Sequence, residues 1–369
     1  MSQDALVLYY QITMGAAHVA RVRALNDQPG IRARGIQLAE TERTRRFRPT
    51  PEEAEWFDTL HSGAYEEAGR LQLVAQARAQ LIELAPRAII LDQANDVIQI
   101  GIGIVARRLG IKTCFRWATT LDDYQRSAFR ERLKGFVYRG WDAYLAAGER
   151  AAAYLESVGI PESDIFLCGN PSDHRRTEQV LAETPSVERN NRFLFVGRFI
   201  PHKNLPRLLD AYCQYRHEGG DFGLDLAGYA VQEDELIRSS KDIPDIQFLG
   251  HQDYRELIDL YRSCAALVLP SISENWGLVV NEAMHTGAPI LLSEPCGCIP
   301  ELLDEGQNGF SFAPQDVAAI ATAFHRFERL DPRERHGMET RSLEIIAGHS
   351  VDAWAERVAD VCLAPSANP

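Results

Sequence analysis

Short apolar runs alternate with helical patterns along the whole 369-residue chain. That alternation most constrains the fold, because it is the mark of parallel α/β layering. In the first half the runs at 5–10, 88–92, 113–116 and 143–146 are predicted as strands. Between them the pattern predicts helices over 16–25, over 51–85 with a break near Ser62-Gly63, and over 123–140. The second half opens with a strand at 164–168, followed by strands at 193–196, 224–227, 246–249, 266–269 and 289–292, each leading into a helix or a loop and helix. This order predicts two doubly wound sheets in series. The length agrees, being too great for one comfortable core and suited to two ordinary domains. The boundary is expected at the turn-rich break Gly169-Asn170-Pro171, and the last helix, over 351–363, is amphipathic with Trp354 on its apolar side.

Composition narrows the class. With 45% hydrophobic and 25% charged residues, the chain reads as globular. It has no apolar run of about 18 residues that would span a membrane, and the stretch after Met1 lacks the basic region of a signal peptide. The net charge of −13 falls entirely on residues 168–369, which hold 18 Lys+Arg against 31 Asp+Glu, whereas residues 1–167 hold 21 of each. Nucleic acid is therefore not an expected partner. Seven scattered cysteines suit a reducing compartment better than a disulfide framework. Cys296-Gly297-Cys298 has no second pair or His nearby and reads as a tight loop, so no metal is expected.

Two segments carry the chemistry. In Leu269-Pro270-Ser271-Ile272-Ser273-Glu274-Asn275-Trp276-Gly277-Leu278-Val279-Val280-Asn281-Glu282, a buried strand ends in a Pro-Ser loop and a helix begins near Gly277. The first turn of such a helix offers free N–H groups and a positive dipole end, which together form an anion site. Glu274 and Glu282 are roughly 12 Å apart if the spacing is helical, wider than the ~5–9.5 Å of paired glycosidase carboxylates. In the second segment, Phe193-Leu194-Phe195-Val196-Gly197-Arg198-Phe199-Ile200-Pro201-His202-Lys203-Asn204, a strand runs into glycine with Arg198 and Lys203 beyond it. Two cations at the carboxyl end of a parallel strand suit a diphosphate. The alternative is a solvated charged loop.

With these segments, Ala227-Gly228, Phe248-Leu249-Gly250-His251 and Gly306-Gln307-Asn308-Gly309-Phe310, residues 164–325 resemble the C-terminal domain of retaining GT-B glycosyltransferases of the family 4 group. The resemblance implies an α/β fold of two Rossmann-like domains facing across a cleft: 1–168 on the acceptor side, 169–349 on the donor side, and a C-terminal helix, 350–369, crossing back. It implies transfer of a sugar from a nucleotide-diphosphate sugar, UDP-sugar favoured, to a hydroxyl acceptor, with the anomeric configuration kept. The nucleotide-sugar is a co-substrate, and neither a cofactor nor a metal is implied.

Residue by residue, Arg198 and Lys203 would hold the diphosphate, Gly197 would admit it, and the N–H groups of Gly277, Leu278 and Val279 would bind it from the helix end. Glu282 would accept hydrogen bonds from the ribose. Glu274 would contact the transferred sugar, with Asn275 and Trp276 lining its pocket. The N-terminal half resembles the family less. A single Gly15 stands where relatives often carry a Gly-Gly pair, and Arg116-Trp117 where many carry a histidine. Gly15 is assigned to the donor, and His18, Arg116 and Trp117 to the acceptor, which is a saccharide, a lipid-linked sugar or a small molecule. Surface-polysaccharide synthesis is hinted at by Ser293-Glu294-Pro295-Cys296-Gly297-Cys298. A sugar phosphorylase of the same architecture, or a non-catalytic nucleotide-sugar-binding subunit, are the alternatives.

The basic amphipathic stretch 124–140 suits either an anionic membrane surface or an interior helix with one solvated face. The expected location is the cytoplasm, with the inner face of the membrane as a peripheral alternative.

Overall fold

The computed structural model describes residues 4–43, 49–92, 96–123, 131, 135–185, 187–229 and 243–365. Most of the basic stretch 124–140 lies outside them. The chain forms two compact units. The first comprises Met1–Leu121, Gln125–Asp173 and Ser350–Pro369, and the second Asp122–Tyr124 and His174–His349.

In the first unit, β1 (Ala5–Gln11), β2 (Ile31–Gln37), β3 (Phe57–Thr59), β4 (Ala88–Leu91), β5 (Lys112–Trp117), β6 (Ala143–Ala146) and β7 (Ile165–Leu167) form one parallel sheet in the order β3-β2-β1-β4-β5-β6-β7. Its direction of growth reverses between β1 and β4, where doubly wound sheets place their ligands. The strand at 164–168, expected to open the second half, is instead the edge of this sheet, with Leu167 53% exposed. The helix expected over 51–85 is also corrected. Thr50 caps a single turn, Pro51–Ala54, which is followed by β3, and only Arg70–Leu84 is a long helix. β3 pairs with β2 from Gly35↔Phe57 to Gln37↔Thr59, and that pairing outweighs local helix preference.

One face of this sheet is closed by the helices Ala16–Asn26 and Val351–Leu363. Trp354, Val358 and Cys362 bury against Val7, Tyr9, Ile90, Cys114 and Leu145. Lys112 fastens the end of the last helix, its Nζ donating to the carbonyls of Val361 at 2.6 Å and Ala364 at 3.0 Å. A cation there also suits the negative end of the helix dipole. On the other face, Gly103 inside the helix Val97–Arg108 lets that helix meet Trp141 and Leu91, where a Cβ would stand 2.9 and 3.0 Å away.

In the second unit, β8 (Arg192–Val196), β9 (Gly223–Ala227), β10 (Ile246–Gly250), β11 (Ala266–Leu269), β12 (Ile290–Ser293) and β13 (Gly309–Phe312) pair in parallel in the order β10-β9-β8-β11-β12-β13. The reversal falls between β8 and β11. Phe193 of β8 packs its ring 4.4 Å from that of Phe324, joining the helix Val317–Glu328 to the sheet. No helix among the described residues is long and apolar enough to cross a membrane.

Candidate functional site

The second unit brings its charged candidates to the carboxyl ends of β8 and β11, at the sheet's reversal point. β8 runs into Gly197 (φ 156°), and β9 into Gly228 (φ 153°). A Cβ on Gly228 would stand 1.8 Å from the Gly197 carbonyl oxygen, so the two loops meet only as backbone. The Gly197 N–H donates to the Ala227 carbonyl at 3.0 Å and the Gly228 N–H to that of Gly250 at 2.8 Å.

Beyond Gly197, one 3-10 turn, Pro201–Lys203, ends at Asn204, which holds a left-handed conformation (φ 60°) and opens the helix Leu205–His217. Asn204 is buried, and its side-chain amide donates to the carbonyls of Pro270 at 3.1 Å and Pro314 at 2.8 Å. The Ile272 N–H donates to the His202 carbonyl at 2.8 Å. These bonds fix the loop after β8 against the loop after β11. Lys203 is thereby set on Glu274, its ammonium donating to Oε2 of the carboxylate, with the two side chains only 13% and 15% exposed. The Ser271 hydroxyl donates to the same oxygen at 3.2 Å. Arg198 is exposed and has no side-chain hydrogen bond or ion pair among the described residues. Burial, together with Lys203 and Arg198, lowers the pKa of His202 against the opposing pull of Glu274, so all four groups share one field.

The peptide of Glu274 is held by the loop after β12. Cys296 pairs with Glu274 as an isolated parallel bridge, and the Gly297 N–H donates to the Glu274 carbonyl at 2.8 Å. A Cβ at Gly297 would lie 2.0 Å from the Asn275 carbonyl oxygen, which gives Cys296-Gly297-Cys298 its purpose: glycine permits the approach and the two buried cysteines fill the space behind it. With its amide turned to donate, Asn275 is 2.9 and 3.2 Å from the Asp123 carboxylate oxygens, and Ser273 donates to the Asp123 carbonyl at 3.0 Å. Asp123 is thus an anchor for this loop. Trp276 is buried, its indole N–H donating to Asn281 at 2.8 Å; it forms the wall behind the loop rather than an exposed ring.

Gly277 (φ 92°) starts the helix Leu278–Met284. The backbone N–H groups of Leu278 and Val279 donate to no protein acceptor among the described residues and are free for an anion. One turn further on, Glu282 accepts a hydrogen bond from the Tyr261 hydroxyl at 2.9 Å. Burial raises its pKa to about 7, and the Tyr261 bond and the charge of Arg176 only partly oppose this. Glu282 therefore needs donors to hold its charge.

In the first unit the corresponding reversal point carries a buried polar network. Asp92 follows β4, and its Oδ2 accepts from the Gln11 amide at 2.6 Å and the Tyr9 hydroxyl at 2.9 Å. His18 Nε2 is 3.2 Å from the same oxygen, and the Arg116 guanidinium pairs with Oδ1. The Gly15 N–H donates to His18 Nδ1 at 3.0 Å, which places the ring proton on Nε2, facing Asp92. Burial lowers His18 to about 4. Burial alone would raise Asp92, but Arg116 and His18 outweigh it and hold the carboxyl well below the usual range. The network continues to the stretch after β7, where Asn170 Oδ1 accepts from Arg21 at 2.6 Å and Arg116 at 3.4 Å.

Gly15, His18 and Arg116 thus converge, with both His18 nitrogens engaged. Trp117 does not join them. It is buried between Tyr138 and Tyr154, with ring centroids 4.8 and 5.6 Å away. Sequence reasoning missed Asp92, Gln11, Arg21 and Asn170. The available signal was a lone carboxylate directly after the wholly apolar strand Ala88–Leu91.

Comparison with known proteins agrees with this geometry. Residues 177–342 match the family model of glycosyl transferases group 1. The glycogen synthase of Mycobacterium tuberculosis is 37% identical over 133 residues, which is 35% of this chain and 32% of that protein. An uncharacterized glycosyltransferase of Methanocaldococcus jannaschii is 32% identical over 187 residues, 46% of this chain and 51% of that protein. The chain thus spans about a third of one of these relatives and about half of the other. Among solved structures, Anabaena Alr3699/HepE in complex with UDP superposes with a TM-score of 0.74 at 16% identity, over 97% of this chain and 99% of that one. The fold is that of GT-B proteins, two Rossmann-like α/β units, and the matches support a glycosyltransferase of group 1.

Proposed function

We propose that the chain is a retaining glycosyltransferase that moves a sugar from a nucleotide-diphosphate sugar to a hydroxyl acceptor. The observation that carries this reading is the Lys203–Glu274 pair at the sheet's reversal point, with Arg198 on the same loop as Lys203, and the free N–H groups of Leu278 and Val279 and then Glu282 on the helix that follows Glu274. Cations and N–H dipoles fixed where a leaving diphosphate gains charge stabilise the transition state without reorganising. Glu282 accepts hydrogen bonds from ribose hydroxyls, and Glu274 from hydroxyls of the transferred sugar.

The two side-chain cations and the helix end neutralise the diphosphate, so this reading needs no metal. The leaving phosphate deprotonates the acceptor on the same face, which keeps the anomeric configuration and needs no enzymatic base. UDP is favoured as the nucleotide, a choice supported by the UDP complex of the Anabaena neighbour. The acceptor belongs to polysaccharide or glycoconjugate synthesis. The free thiols of the seven cysteines support a reducing, cytoplasmic location.

Thermal unfolding against UDP, GDP, ADP and TDP tests the reading. A ligand at 100 times its dissociation constant that binds only the folded state adds about 2.7 kcal/mol. Stabilisation by one nucleotide, lost in Lys203→Ala, is the expected result. Stabilisation by inorganic phosphate or a sugar phosphate alone would mark a phosphorylase instead.

A further inference from the structure

The cation assigned to the diphosphate already has a partner. The Lys203 ammonium is bound to Glu274 Oε2, and at 13% and 15% exposure the two side chains are little screened by water. Besides Lys203, the Ser271 hydroxyl donates to that carboxylate at 3.2 Å. A diphosphate that takes Lys203 therefore leaves behind a mostly buried carboxylate stripped of its counter-charge, and such a group is costly. A whole donor makes good the loss, since the hydroxyls of its sugar donate to Glu274. A nucleoside diphosphate, the product of transfer, carries no sugar and cannot.

Resting on the donor-site reading above, we infer that the Lys203–Glu274 ion pair is an internal competitor for the diphosphate, which makes the site favour the intact nucleotide-sugar over its own nucleotide product. Glu274 then has two uses, as the contact for the sugar and as the group that expels the spent nucleotide. Arg198 has no such competitor and attracts donor and product alike.

Calorimetric titration of UDP and of pyrophosphate into wild type, Glu274→Gln, Lys203→Ala and the double variant tests this. Glu274→Gln keeps the side chain's shape and frees Lys203, so both probes should bind about tenfold tighter than to wild type, the scale of one charge-assisted hydrogen bond. Glu274→Ala should shift affinity in the same direction. In the Lys203→Ala background the gain should vanish, because it acts through that ammonium.

Unchanged or weaker binding by Glu274→Gln overturns the inference, as does an equal gain without Lys203, which would be a general field effect. Binding that Lys203→Ala abolishes but Glu274→Gln does not tighten overturns the inference alone. If wild type binds neither probe, the donor-site reading falls with it.

Discussion

The side-chain amide of Asn204 donates to the Pro270 carbonyl at 3.1 Å, tying the first residue after one charged loop to the first residue of the other. The same nitrogen reaches Pro314 at 2.8 Å. Asn204→Ala leaves two carbonyls in the interior without their donor, at a cost of roughly 1–3 kcal/mol. Chemical denaturation should show that loss. Lys203 should lose its fixed position as well, so affinity for UDP should fall although no ligand contact is removed.

Lys203→Ala removes one preorganised charge from the proposed diphosphate site. Turnover should fall by about 10²–10³, comparable to the loss of one oxyanion donor, and the unfolding temperature without ligand should fall as well, because the mostly buried Glu274 loses its counter-charge. Steady-state rates with a nucleotide-sugar check this, and a variant with wild-type turnover would refute the assignment of Lys203.

Gly228→Ala is a smaller change with a larger expected consequence. The new methyl would lie 1.8 Å from the Gly197 carbonyl oxygen, on a residue at φ 153°. The loops after β8 and β9 must separate to admit it. Nucleotide stabilisation in a thermal shift should be lost while the far-ultraviolet circular dichroism of the helices and sheets is kept.

The pH dependence of stability has two opposed contributions. Glu282 is raised from 4.5 to about 7, so the stability it confers is full below pH 4.5 and is lost as pH rises through 7. His18 and His285 are both lowered from 6.5 to about 4, so theirs is present above pH 6.5 and is lost as pH falls through 4. Unfolding temperatures from pH 4 to 8 for wild type and Glu282→Gln separate the two. The variant should lose the decline between pH 5 and 7 and keep the acid limb.

Much of the second unit could be read from its sequence because each chemical group there lies within a few residues of the strand that presents it. Gly197, Arg198 and Lys203 follow β8, and Glu274, Gly277 and Glu282 follow β11, so strand and loop patterns carry the placement. Even there β13 escaped notice, since Gly309-Phe310-Ser311-Phe312 begins with glycine directly after a turn and read as a motif. In the first unit β2 alternates arginines with small apolar residues, and β3 is only three residues long, so neither presents an apolar run. The network around Asp92 joins residues up to 149 positions apart, as in the Arg21–Asn170 bond, and no local pattern encodes such a pairing. Trp117 misled for a related reason. Its place after a strand suggested a ligand, but Tyr138 and Tyr154, distant in sequence, enclose it.

The helix Val351–Leu363 has a further consequence for how the protein is made. It supplies Trp354 to the core of the first sheet, whose other strands end with β7 at Leu167. During synthesis at about 5–20 residues per second, that sheet leaves the ribosome on the order of ten seconds or more before its last helix exists. Val7, Tyr9 and Ile90 meanwhile have one face uncovered, while the second unit, contiguous from His174 to His349 apart from a short Asp122–Tyr124 insert, emerges with its whole core at hand. The nascent chain is thus a finished second unit attached to an unfinished first one, and a chaperone that shields apolar sheet faces would find its target in the part translated first.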